Sequence, residues 1–200
     1  GNGHLTAAPV QASQSGTNAF VNTYNPGNAT AGLTAVKTVN GESKGIAADT
    51  FTFGIEAVSA PQGAAADLPA NAADDGTVKN GADGTIDFGA FTFSAEGDYV
   101  YRVTEVNEDK AGYSYDDTTY TVVFHVSDDP AQGALVATRE IYKGTAQDDT
   151  ARVDAVTFAN TYHPEAAPAT AAFSGTKSVT NEHGGFTMKA GQFSFTMTNT

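Results

Sequence analysis

"GTIDFGAFTFSAEGDYVYRVTEV", residues 84–106, carries two runs of period-two alternation divided by the turn signal "SAEG". Successive side chains of a strand point to opposite faces, so this alternation marks extended segments with one buried side. Residues 84–93 read as a strand with a glycine-marked irregularity, the pattern of a β-bulge. Residues 97–106 place Tyr99, Tyr101 and Val103 on one face. The pattern recurs along the chain. Phe51, Phe53 and Ile55 share a face within 49–58, and Tyr120, Val122, Phe124 and Val126 share one within 118–126. Further runs lie at 33–39, 134–142 and 153–162, and "NGESKG", "KNGADG", "SDDPAQG" and "KGTAQDD" punctuate them with turn formers. Seven or more short strands so divided predict an all-β, antiparallel β-sandwich. The Ala-, Asn- and Asp-rich stretch 59–84 reads as a long loop with room for a short helix.

At 200 residues and 40% apolar content the chain suffices for one cored domain with pieces of neighbours. A net charge of −13 argues against nucleic acid and anionic lipid as partners, since both need basic surface. The absence of cysteine excludes disulfides and thiolate metal sites. No apolar run reaches the length of a membrane span.

The chain also repeats itself. "FVNTYNP" at 20–26 returns as "FANTYHP" at 158–164, which pairs Asn22 with Asn160. "LTAVKTVNGESKGIAADTFTFGI" from Leu33 returns in outline as "FSGTKSVTNEHGGFTMKAGQFSFTM" from Phe173, which pairs Lys37 with Lys177. The organisation expected is the tail of a preceding repeat (1–25), a linker (26–32), one complete domain (33–162), a second linker (163–172) and the first strands of a following repeat (173–200). Such a chain reads as a fragment of a longer one.

Three polar residues fall in phase with apolar neighbours. Lys37 shares a face with Leu33, Ala35 and Val39; Glu105 with Tyr99, Tyr101 and Val103; Asn160 with Val156, Phe158 and Tyr162. All three are expected to point into the core, where they must satisfy one another. A buried lysine sheds its proton and becomes a nucleophile, while a buried glutamate keeps its own and can act as an acid toward the asparagine amide. The same alternation also fits an unreacted Lys–Glu ion pair with the asparagine as hydrogen-bond partner, or a snorkelling lysine.

"VKTVNG" (36–41), "FTFGI" (51–55), residues 84–106, "GYSYDDTTYTVVFHVSDD" (112–129) and "FANTY" (158–162) together resemble the pilin isopeptide-linkage domain of Gram-positive bacteria. That module is found in major pilins of the streptococcal T-antigen type and in tandem arrays on large surface proteins. The resemblance covers residues 32–163 with all blocks and the flanks in part. It implies an immunoglobulin-like, CnaB-like β-sandwich with a spontaneous Lys–Asn isopeptide bond between first and last strands. Carried over, Lys37 and Asn160 are the cross-linked pair and Glu105, in "Y-x-Y-x-V-x-E", is the catalytic residue, expected to polarise the Asn160 carbonyl. Asn22 and Lys177 match the same positions of neighbouring repeats and are expected to lack partners. The implied function is a stalk module of a cell-wall-anchored adhesin or pilus-like protein outside the cell, with adjacent repeats as partners. It needs no cofactor and no metal, and performs no turnover beyond its single self-cross-linking.

Other chemistry is weaker. "NAADDGTVKNGADGTID" (71–87) lacks the ligand spacing and closing Glu of a calcium loop. The four histidines are scattered, with His125 expected on an outer face. Asp116, Asp117, Asp128 and Asp129 stand in turns or at strand ends, where nothing forms a glycosidase cleft. The alternative function is an adhesin module that itself binds a host glycan or protein, for which Tyr113, Tyr115 and Tyr142 are the candidate contacts.

Overall fold

A computed structural model describes residues 4–9, 20–41, 45–164, 172–180 and 183–198. Residues 1–165 form one compact unit and residues 166–200 a second. In the first, β1 (His4–Pro9) and β2 (Phe20–Asn25) pair as an antiparallel two-stranded sheet. The sandwich follows: β3 (Ala29–Asn40), β4 (Thr52–Ser59), β5 (Thr77–Lys79), β6 (Thr85–Phe93), β7 (Gly97–Glu105), β8 (Tyr113–Ser114), β9 (Thr119–Asp129), β10 (Ala134–Lys143), β11 (Arg152–Val153) and β12 (Val156–Tyr162). Six strands in the order β11-β10-β9-β7-β4-β5 form one sheet, and β6-β3-β12-β8 form the other.

Aromatic residues fill the space between the sheets, as the alternation requires. Phe53 of the larger sheet meets Phe158 of the smaller at 5.2 Å between ring centroids, and Phe124 meets Phe91 at 4.7 Å. Phe51, Phe53, Tyr99, Tyr101, Val103, Phe124 and Phe158 are all essentially without solvent exposure. The fold is therefore the expected immunoglobulin-like β-sandwich, with one pair departing from antiparallel order. β3 and β12, first and last in the domain, are parallel neighbours, with Lys37 opposite Phe158 and Val39 opposite Asn160.

The irregularity of 84–93 is a bulge. Leu33 pairs with Gly89 and Thr34 with Asp87, which leaves Phe88 as the extra residue. Burial consequently switches phase along β6, from Ile86 and Phe88 to Phe91 and Phe93. Although "SAEG" links β6 and β7 directly, the two strands belong to opposite sheets, so this turn crosses the sandwich.

Several boundaries differ from the sequence reading. The stretch 59–84 contains the short strand β5 and no helix; its aspartates serve turns, with Asp75 accepting the Thr77 N–H at 3.1 Å and Asp83 the Thr85 N–H at 2.9 Å. β3 begins at Ala29, which is buried, so residues 29–32 of the expected linker 26–32 are strand. The remainder is tied down: Gly27 N–H donates to Gly133 O at 3.0 Å, and Leu135 N–H donates to Gly27 O at 2.7 Å. In the second unit the described residues form no strand, and Phe173 and Phe195 are exposed.

Gly84 supports β3 at close range. It accepts the Lys37 N–H at 2.7 Å, and with φ at +81° a Cβ there would lie 2.3 Å from the Lys37 carbonyl oxygen. Left-handed backbone and steric clash together predict that Gly84→Ala destabilises the domain by at least about 2 kcal/mol, read as a lower midpoint in denaturant titration.

Candidate functional site

Parallel pairing of β3 and β12 brings Lys37 and Asn160 to the same face of the smaller sheet, two positions apart along the ladder. The end of β7 supplies Glu105 from the larger sheet, opposite Phe53 in the β4–β7 ladder. The three side chains expected to converge do so. Lys37 Nζ lies 2.7 Å from Glu105 Oε2, and Asn160 Nδ2 donates to Glu105 Oε1 at 2.8 Å. Lys37 and Asn160 are buried, and the Glu105 side chain is fully covered although its backbone keeps some exposure. Phe51 and Phe53 flank the ammonium, with ring centroids 4.8 and 6.0 Å from Nζ.

Burial governs both titrating groups. It holds the Lys37 ammonium below the usual lysine value, against the opposing pull of the Glu105 carboxylate. It pushes the Glu105 carboxyl above the usual carboxylate range, against stabilising contacts from Lys37 and Asn160. Both shifts favour transfer of a proton from Nζ to the carboxylate, which leaves a neutral amine beside a neutral acid.

One contact differs from the sequence expectation. Glu105 meets the nitrogen of the Asn160 amide; the carbonyl Oδ1 accepts the backbone N–H of Asp116 at 2.8 Å. A backbone N–H can only donate, so it fixes which way the amide faces. The Asp116 carboxylate in turn accepts from Ala159 N–H at 2.8 Å and Thr118 N–H at 2.9 Å. In the sequence Asp116 is only one of four aspartates expected in turns or at strand ends. The available signal was its place two residues before a threonine in "YDDTT", which marks a side-chain-closed turn.

The remaining candidates lie elsewhere. Asn22 is exposed on β2, and its backbone pairs with Ala7 of β1. Lys177 is exposed in the second unit, with Nζ 5.2 Å from the Phe193 ring centroid. The tyrosines of the adhesin reading are packed into the fold: Tyr113 and Tyr115 meet Phe51 edge-on at 5.4 and 6.0 Å, and Tyr142 is buried with its hydroxyl on Glu140. His125 sits half-exposed on the outer face, as expected, with Nδ1 2.7 Å from Asp98. Among the described residues no cluster of three or more His, Asp or Glu could hold a metal ion.

A β-sandwich whose parallel first and last strands meet over a buried lysine, asparagine and glutamate defines a class of structural module. Residues 33–163 match the family described as FctA, Spy0128-like isopeptide containing domain, and the chain belongs to that family. Among solved structures it is similar to the major pilin from Streptococcus pyogenes, at 29% identity over 69% of this chain and 51% of that one, with a TM-score of 0.43. It is also similar to the major pilin protein T-13 from Streptococcus pyogenes serotype GAS131465, at 18% identity over 68% of this chain and 54% of that one, with a TM-score of 0.42. The chain spans about half the length of these pilins. No curated protein matches it.

Removing the cation isolates the glutamate. In a Lys37→Met chain Glu105 loses the group that lowers its proton affinity and keeps the burial that raises it. A folded value above the unfolded one places full stability below the ordinary carboxylate pKa of about 4.3, with loss as pH rises through the folded value. Denaturant midpoints should therefore decline from about pH 4 toward neutrality more steeply in this variant than in the parent chain.

Proposed function

We propose that Lys37 and Asn160 join in an intramolecular isopeptide bond with Glu105 as catalyst, and that the bonded sandwich is a load-bearing stalk module. The observation that carries this reading is the Glu105 carboxylate bridging two nitrogens, the nucleophile on Oε2 and the leaving group on Oε1. Glu105 takes a proton from the Lys37 ammonium, and the neutral Nζ attacks Asn160 Cγ. The Nζ–Cγ bond forms as the carbonyl π pair moves onto Oδ1. The carboxyl then gives its proton to Nδ2 and takes the next from Nζ. The pair on Oδ1 re-forms the carbonyl, the Cγ–Nδ2 bond breaks, and ammonia departs with that electron pair. Glu105 ends protonated, the state that its burial favours. Each chain reacts once.

Placement of the bond suits tension. β3 and β12 are parallel, so a pull on the start of one and the end of the other shears their ladder. An amide between Lys37 and Asn160 would carry that load past everything between them. By analogy with a disulfide closing a loop on the order of 100 residues, it would stabilise the domain by about 4–5 kcal/mol. Unlike a disulfide, it cannot be reduced. In this reading the parent protein is cell-wall-anchored and outside the cell, neighbouring repeats are the partners, and Asn22 and Lys177 belong to the bonds of those repeats.

Intact mass tests the proposal. The chain should weigh one ammonia less than its sequence, while Glu105→Ala, Lys37→Met and Asn160→Ala should each retain their full mass. Asn160→Ala, which keeps the Lys37–Glu105 pair, should melt on the order of 10–20 °C below the parent. A parent chain at full sequence mass would refute the bond. The two opposed shifts also give the reaction a pH dependence. Ammonia loss should slow on acidification, when the Lys37–Glu105 pair binds a second proton, and again on strong alkalinisation, when it loses its last.

A further inference from the structure

Negative charge develops on Asn160 Oδ1 during the proposed attack, and Glu105 is not the group that meets it. The carboxylate is engaged with Nζ through Oε2 and with Nδ2 through Oε1, and the Asp116 backbone lies close enough to lower its proton affinity as well. The donor on Oδ1 is the backbone N–H of Asp116, at 2.8 Å. Turning the amide over would set Nδ2 against that N–H and Oδ1 against the carboxylate, a mismatch at both ends. The amide is thus held with its oxygen toward the loop and its nitrogen toward Glu105 before any reaction occurs.

A loop N–H is a useful oxyanion donor only if the loop is held still, and here the same residue does the holding. Asp116 Oδ1 closes its own turn on Thr118 N–H, and Oδ2 reaches the N–H of Ala159, the residue immediately before Asn160. The side chain therefore ties the donor's loop to the strand that carries the reacting amide. Tyr115, the preceding residue, packs edge-on against Phe51, whose ring also lies beside Lys37 Nζ. Burial alone would raise the Asp116 carboxyl, but the contacts from Thr118 and Ala159 outweigh it and keep it ionised as an acceptor.

We propose that the Asp116 backbone N–H is the oxyanion donor of the cross-linking step, and that the Asp116 carboxylate is a positioning group which fixes that donor on Asn160 Oδ1. This rests on the isopeptide reading above and adds a fourth participant to it. In the atom balance already given, the pair that moves onto Oδ1 is stabilised by this N–H until the carbonyl re-forms; no proton is transferred there. Preorganised donors of this kind cost nothing to reorient at the moment of reaction, and losing one typically slows acyl transfer by about 100–1,000-fold.

The test uses the full chain, synthesised in vitro, collected in denaturant before it folds, and diluted into buffer while intact mass is followed. Asp116→Ala removes both carboxylate contacts, and Asp116→Asn keeps one acceptor oxygen for either of them. With rates divided by the folded fraction, Asp116→Ala should lose ammonia at least about 10-fold more slowly than the parent, with Asp116→Asn between the two. The groups facing Lys37 are the Glu105 carboxylate, the more distant Asp116 charge and the rings of Phe51 and Phe53. Removing the Asp116 charge removes one influence that favours the ammonium, so the acid limb of the pH–rate profile should move to lower pH in Asp116→Asn. Rates that match the parent, or that fall only in step with the folded fraction, overturn the role of Asp116 and leave the isopeptide bond standing. A parent chain that never loses ammonia overturns the bond itself.

Discussion

The Lys37 ammonium lies in a core where an unpaired charge would cost several kcal/mol, and the parts of the sandwich around it meet that cost together. β7 delivers Glu105 from the opposite sheet, β4 lays Phe51 and Phe53 beside the nitrogen, and β12 runs parallel to β3 so that Asn160 completes the group. A buried ion pair is weak evidence for stability, since apolar residues of similar volume often serve as well. Its presence here is better explained by chemistry. Burial disfavours both charges, so it shifts the balance toward a proton on Glu105 and a neutral amine at Nζ, the arrangement the proposed attack requires.

Much of this arrangement could be read in the alternation. Phe51, Phe53, Tyr99, Tyr101, Phe124 and Phe158 face inward because period two leaves a strand only two sides. Lys37, Glu105 and Asn160 stood out because each occupied an inward position without an inward chemistry. What alternation does not encode is which strands are neighbours. β6 and β7 follow one another along the chain yet belong to different sheets, while β3 and β12 lie far apart in sequence and form the pair on which the site depends. Pairing of that kind depends on tertiary packing, which local pattern does not record. Asp116 escaped for a related reason. Its contribution runs through a backbone N–H, a group every residue but proline possesses, and only its fixed position beside Asn160 gives it meaning.

The two ends of the chain show the same residue types without the same surroundings. Asn22 repeats the context of Asn160, and Lys177 that of Lys37, yet both are exposed. A lysine and an asparagine in water are unreactive toward each other; the proposed reactivity comes from enclosure. The Gly27 bridge to the β9–β10 turn further shows that the approach to β3 is held against the domain by paired backbone hydrogen bonds.

The bond's location is tested most directly by proteolysis of the parent chain followed by tandem mass spectrometry of the fragments. The predicted result is one branched peptide in which Lys37 is joined through Nζ to Asn160 with loss of one ammonia, while peptides carrying Asn22 and Lys177 remain linear and unmodified. Linear peptides for both Lys37 and Asn160, or a branch through Asn22 or Lys177, would contradict it.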